Sequence, residues 1–131
     1  MNDVFLDTVG LIATWDVSDQ WHAGANVAYQ DLLRRARKMV TTPLVFWECG
    51  NAAARRPYRQ RVNALRKSVL RQGLMIEPTT QEIEEAWTAF DRGDAAQAGI
   101  VDRVSFVVMR RLGVTEAFTN DKHFQAAGFI P

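Results

Sequence analysis

Apolar positions along the chain follow two alternating rhythms. Short runs, "VFL" near residue 4, "KMVTT" near 40, "LMIEP" near 75, "AFT" near 118 and "GFI" at the end, read as strands. Longer stretches between them repeat at helical spacing. Strand-like and helical segments in alternation predict an α/β fold of βα units around a mostly parallel sheet of four to five short strands. The 131 residues contain no repeat and no low-complexity linker, and they suit a single domain over 1–131 with one core.

Punctuation residues divide the helical stretches. Residues 21 to 38 predict one helix, with Ala25, Ala28, Tyr29, Leu32 and Leu33 near one stripe. A helix begins after Pro43 and runs to about 55; Pro57 forces a break, and a second helix over about 57 to 72 is closed by Gly73. "TTQEIEEAWTAF" reads as a capped helix, with Thr79 or Thr80 as N-cap and Ile83, Ala86, Trp87 and Phe90 spaced for burial. Residues 99 to 112 form another apolar helix stopped by Gly113, and a short last helix follows Asp121.

Composition narrows the class. A hydrophobic share of 47% excludes disorder. No apolar run approaches the ~20 residues of a membrane span, and the start lacks the features of a signal peptide, so a cytoplasmic location is expected. The single cysteine, Cys49, cannot form an internal disulfide, and no Cys/His cluster has zinc spacing. The net charge of +1 hides an uneven distribution. "RRPYRQRVNALRKSVLR" has seven cations and no acid, whereas "EPTTQEIEEAWTAFDRGD" is strongly acidic. The basic stretch suits phosphate contact or a solvated helix face equally well.

Four acids sit where apolar segments join. Asp7 interrupts "VFLDTVGLIATW" between strand and helix; Glu48 lies inside "PLVFWECGN"; Asp102 opens "VDRVSFVVM"; Asp121 follows "AFT". Local capping accounts for Asp7, Asp102 or Asp121 taken singly. It fails for Glu48 and for the set. In an open α/β sheet, sites form beyond the carboxyl ends of the strands, where these joins converge. Clustered carboxylates repel one another unless a cation compensates them, and all-oxygen ligation suits Mg²⁺ or Mn²⁺ rather than zinc. Such a cation implies phosphate chemistry.

In this order, "VFLDTVGLIA", "TTPLVFWECGNA" and "GIVDRVSFVVMRRLGVTEAFTNDKHFQAAGF" resemble the PIN-domain family, especially its VapC-type toxins from prokaryotic toxin–antitoxin pairs. The resemblance covers nearly the whole chain. It implies a three-layer α/β/α fold and a Mg²⁺- or Mn²⁺-dependent ribonuclease whose catalytic and metal-ligating acids fall on Asp7, Glu48, Asp102 and Asp121. It also implies an RNA substrate, a small cognate antitoxin and a homodimer.

The chain departs from the family pattern at several places. Val9 stands where a small polar residue is common; Gly99, Ile100 and Val101 replace a hydroxyl-bearing stretch; Arg103 follows the third acid where a small residue is usual, adding a positive charge beside the site. Lost hydroxyls of this kind weaken metal affinity by roughly 10- to 100-fold. Around the acids, Asn51, Thr8 and Thr119 are candidate hydrogen-bond partners of a carboxylate or water, capping or turn chemistry being the other role open to the threonines. Arg55, Arg56, Arg59 and Arg61 are candidate RNA-backbone contacts. "DRGD" around Asp94 reads as a solvated turn, and His22 and His123 as surface or packing residues. Cys49 reads as a small buried hydrophobe. Two other classes stay open: a catalytically weakened PIN-fold module that binds RNA or protein, and a Mg²⁺-dependent phosphoacceptor domain.

Overall fold

Leu6 and Phe118 end two neighbouring parallel strands, and the residues just beyond them carry acids. In the computed structural model, which describes residues 3–131, the elements are β1 (Val4–Leu6), α1 (Thr8–Trp15), α2 (His22–Arg34), β2 (Met39–Val40), α3 (Pro43–Ala53), α4 (Arg59–Arg71), α5 (Thr80–Arg92), α6 (Asp94–Gln97), α7 (Ile100–Leu112), β3 (Glu116–Phe118) and α8 (Lys122–Ala126). The sheet is parallel, in the order β2-β1-β3. Phe5 pairs with Val40 on one side and Ala117 on the other.

The sheet has three strands rather than the four to five expected. "LMIEP" contributes a single bridge, Met75 to Thr41, and "GFI" another, Ile130 to Glu116. Both segments pair with the sheet but too briefly to extend a ladder. β1 is buried on both faces, which explains why Val4, Phe5 and Leu6 read as a continuous apolar run rather than an alternating one. The connection from β1 leads to β2 on one side, and the next crossover returns past β1 to β3. That reversal covers both faces of the sheet with helices and opens a crevice beyond the carboxyl ends of β1 and β3.

Two close fits hold the walls of this crevice. A Cβ on Gly10 would lie 2.1 Å from the Phe118 carbonyl oxygen, so only glycine lets α1 approach β3 this closely. Buried Thr41 donates 2.8 Å to the Leu6 carbonyl oxygen at the end of β1.

The predicted helix punctuation holds in most places. Thr79 caps α5 in a reciprocal capping box with Glu82, and Gly113 ends α7 in the left-handed conformation as expected; Gly93, not expected as a stop, ends α5 in the same way. Pro43 opens α3 and the break at Pro57 separates α3 from α4. Two expectations change. The helix expected over 21 to 38 ends at Arg34, and its Leu33 is exposed. Ala86 is buried, but Trp87 and Phe90 stay exposed at 46% and 44%, touching each other edge-on at 5.4 Å. Arg103 is buried and turned away from the cleft onto the Asp94 turn, whose carboxylate stays exposed as expected, while its positive charge still acts on neighbouring Asp102.

Candidate active site

Each of the four acids is delivered to one cleft by a different element. Asp7 is the N-cap of α1, its Oδ2 accepting from the Val9 N–H at 3.4 Å. Glu48 projects from the middle of α3, Asp102 from the first turn of α7, and Asp121 is the N-cap of α8, accepting from the His123 N–H at 2.9 Å. With Thr8, Val9, Asn51 and Ala52 they line a cavity of about 590 Å³. The capping role expected of single acids is therefore real for Asp7 and Asp121, where it coexists with convergence, whereas Asp102 sits in the first turn of α7 without making a cap hydrogen bond.

The threonines hold these acids in place. Thr8 donates 2.6 Å to Glu48 Oε1. Thr119 donates 2.8 Å to Asp7 Oδ2 and accepts from the Asp121 N–H at 3.0 Å. Asn51, exposed on α3, reaches the cleft wall.

Charge is crowded here. Asp7 is 1% exposed, and its Oδ1 has no hydrogen-bond partner in the protein. Burial, then the neighbouring Asp102 and Asp121 carboxylates, push its pKa up to about 7 against the pull of the Thr119 hydroxyl. Asp102 is pushed up to about 6 by burial and by Asp121 and Glu48. A bare site thus retains protons that a cation would displace.

Sequence reasoning missed one member of this group. His123 places Nδ1 2.7 Å from Asp121 Oδ1 and 3.8 Å from Asp102 Oδ2, without the alignment of a hydrogen bond to either. Donor atoms of Asp102, Asp121 and His123 all lie within 4.8 Å of one another, close enough to share an ion. The available signal was its position two residues after the Asp121 cap. His22 lies elsewhere, its Nδ1 2.8 Å from the Ala13 carbonyl oxygen.

Cys49, beside Glu48 in sequence, faces the core. It is fully buried, and burial with the Asp7 and Glu48 charges raises its thiol pKa to about 12, so it is no nucleophile.

The basic segment separates into two faces. Arg56, Arg59, Asn63, Lys67 and Arg71 line a groove of about 860 Å³ along α4. Arg56 also pairs with Asp16 at 2.9 Å and lies over the Tyr58 ring. Arg61 turns to a different hollow, with Trp15 and Tyr29, and so leaves the group in which its sequence position puts it. Arg55 is exposed at the α3–α4 junction, in sequence between Ala52 of the acidic cleft and Arg56 of the basic groove, and lines neither.

A parallel sheet wrapped by helices, with acids gathered beyond the ends of β1 and β3, defines a PIN-type fold. The chain belongs to the PIN domain family, whose pattern matches residues 4–130. It is 35% identical, over 91 residues and 69% of its length, to the 23S rRNA-specific endonuclease VapC20 of Mycobacterium tuberculosis, in strains CDC 1551 / Oshkosh and ATCC 25618 / H37Rv alike. The match spans 63% of the length of those relatives. The crystal structure of M. tuberculosis VapC20, described as a Sarcin-Ricin loop cleaving toxin, superposes with a TM-score of 0.80 at 26% identity, covering 98% of this chain and 97% of that one.

Proposed function

We propose that this chain is a Mg²⁺- or Mn²⁺-dependent endoribonuclease and the toxin of a toxin–antitoxin pair. One observation carries the reading: four acids line a single cleft, and a buried carboxylate oxygen there, Oδ1 of Asp7, has no partner within the protein. Such an atom is costly unless a cation or proton meets it. Asp7, Glu48, Asp102 and Asp121 would hold the cation, with His123 adding a nitrogen beside the last two.

When bound, the cation neutralises charge at the phosphoryl group and acidifies a water. The protein's part is orientation. Thr8 fixes Glu48, and Thr119 fixes Asp7 while receiving the Asp121 N–H, so the carboxylates stand ready before substrate arrives. No side chain needs to attack the phosphorus, and buried Cys49 supplies no competing nucleophile.

RNA, in this reading, lies across the α3–α4 junction. Its backbone leaves the acidic cleft past Ala52 and Arg55 and meets Arg56, Arg59, Lys67 and Arg71 in the adjoining groove. The Arg103 side chain turns away from the cleft lining to the Asp94 turn, so it does not block the acids, although its charge still acts on Asp102. The phosphoacceptor alternative needs a lysine near the acids, and the cleft lining has none among the described residues.

A cognate antitoxin and a second copy of the chain are the protein partners in the same proposal. The exposed Trp87 and Phe90 on α5 are apolar surface of the kind protein interfaces cover. No helix among the described residues is long and apolar enough to cross a membrane.

The relatives' named substrate suggests the first assay: large-subunit ribosomal RNA and a tRNA panel incubated with purified protein and Mn²⁺ or Mg²⁺, beside EDTA and Asp7→Asn controls. Discrete cuts lost in both controls would support the proposal. No cutting, with metal bound and antitoxin absent, would refute it.

A further inference from the structure

The segment joining α5 to α7 is wound against the preference of L-residues. Ala95, Ala96 and Gln97 have φ of 52°, 56° and 61°, three left-handed residues in succession and none of them glycine. Such a turn persists only where surrounding contacts impose it.

Arg103 imposes it. The side chain is 2% exposed, and four hydrogen bonds leave its guanidinium. Nε donates to the Ala98 carbonyl at 2.7 Å; Nη1 donates to the Ala89 carbonyl at 3.0 Å and to Asp94 Oδ1 at 2.6 Å; Nη2 donates to the Asp94 carbonyl at 2.6 Å. One side chain thus ties the last turns of α5, the left-handed turn and the start of α7. The turn itself packs on α8, and Ala95, Arg103, Phe106, Ala126 and Ala127 surround a shared hollow of about 300 Å³.

Those are the two helices that bring Asp102, Asp121 and His123 together. Asp102 and Arg103 are consecutive on α7, about 100° apart around its axis, so one faces the cleft while the other grips the turn. An apolar side chain could fill the same space, and replacing buried ion pairs with packed apolar groups is often neutral or stabilising. A charge kept here makes sense as a device that fixes register.

We propose that Arg103 is a positioning residue for the acidic centre: by clasping the left-handed turn and seating it on α8, it sets where Asp102 stands relative to Asp121 and His123. The inference rests on reading that cleft as a metal centre.

Calorimetric titration with Mn²⁺ on the intact protein tests both and separates them. If the wild-type chain binds no Mn²⁺, the metal reading and this inference fall together. If it binds, Arg103→Met should bind about 10- to 100-fold more weakly, the range expected when a support of a ligand is lost. Kinetically, kcat on RNA should fall with KM little changed, because the α4 groove is untouched. Adding Ala95→Gly and Ala96→Gly to Arg103→Met should recover part of the lost affinity by relieving the left-handed strain.

Wild-type-like affinity in folded Arg103→Met, with only a lower Tm, would make the residue a simple fold stabiliser and overturn the inference. Should Arg103→Met not fold, Asp94→Ala decides the matter. It removes the exposed half of the tie, and a clear loss of Mn²⁺ affinity supports the proposal while unchanged affinity overturns it.

Discussion

The Thr119 hydroxyl donates 2.8 Å to Asp7 Oδ2, joining residues 112 positions apart across the ends of β1 and β3. Thr119 Oγ1 also accepts from the Asp121 N–H, so one small side chain sets the spacing of two acids. Thr119→Val keeps the shape and removes both bonds. Mn²⁺ affinity and RNA cleavage should each fall by roughly 10- to 100-fold. Thr119→Ser should retain most of both, as titration calorimetry and a cleavage assay would show.

Asp7 makes the metal-free protein weaker as pH rises. Its folded pKa of about 7 exceeds the ordinary 3.8, so the folded state holds the proton more tightly. Stability is therefore greatest below about pH 4 as far as this group is concerned. It is lost progressively up to about pH 7, by about 1.4 kcal/mol for each pH unit crossed between the two values. Asp102 adds to the loss, with its pKa near 6. Thermal melts in EDTA should show wild type losing Tm over that range and Asp7→Asn losing less. At pH 8 Asp7→Asn should be the more stable protein without metal and the less stabilised by Mn²⁺.

His123 supplies the nitrogen beside Asp102 and Asp121. His123→Ala should leave the backbone cap of α8 intact, since Asp121 accepts from the main-chain N–H at that position. The expected result is Mn²⁺ binding weakened by about 10-fold or more at little cost in Tm. Unchanged affinity would remove His123 from the centre.

Charge reversal in the α4 groove should act on RNA binding. Lys67→Glu or Arg71→Glu should weaken RNA affinity and lower the salt slope by about one phosphate contact each. Arg61→Glu, on the other side of the helix, should do less. Fluorescence anisotropy against salt concentration, with Asp7→Asn as background to prevent cutting, separates the two faces.

Gly10→Ala tests the contact between α1 and β3. The added Cβ meets backbone atoms, the Phe118 oxygen at 2.1 Å and carbon at 2.8 Å, which cannot rotate away. A loss of about 1–3 kcal/mol in denaturant melts is expected, typical of overpacking. Asp7 and Thr119 would also be spread apart, so cleavage should fall further than stability alone explains.

Local chemistry made much of this legible. Asp7 and Asp121 lie at strand-to-helix joins; Pro43, Thr79 and Gly113 mark helix ends through backbone rules that act within a few residues. Trp87 and Phe90 mislead because helical spacing reports a face, not whether anything covers it. The clasp made by Arg103 escapes a sequence reading, which gives only its charge beside Asp102, because its partners Ala89 and Asp94 belong to another helix and to the turn after it. His123 escapes a sequence reading because its significance depends on Asp102, brought near only by the packing of α7 and α8. Arg61 shows the same limit on a smaller scale, since a run of cations does not state which of them share a side.

The inert thiol of Cys49 has a practical consequence. As the chain's single cysteine, shut away from solvent with its pKa raised to about 12, it leaves the surface free of reactive sulfur. A cysteine introduced at an exposed position such as Gln60 would be the one site a maleimide dye reaches, and the native background would need no prior mutation for single-molecule fluorescence.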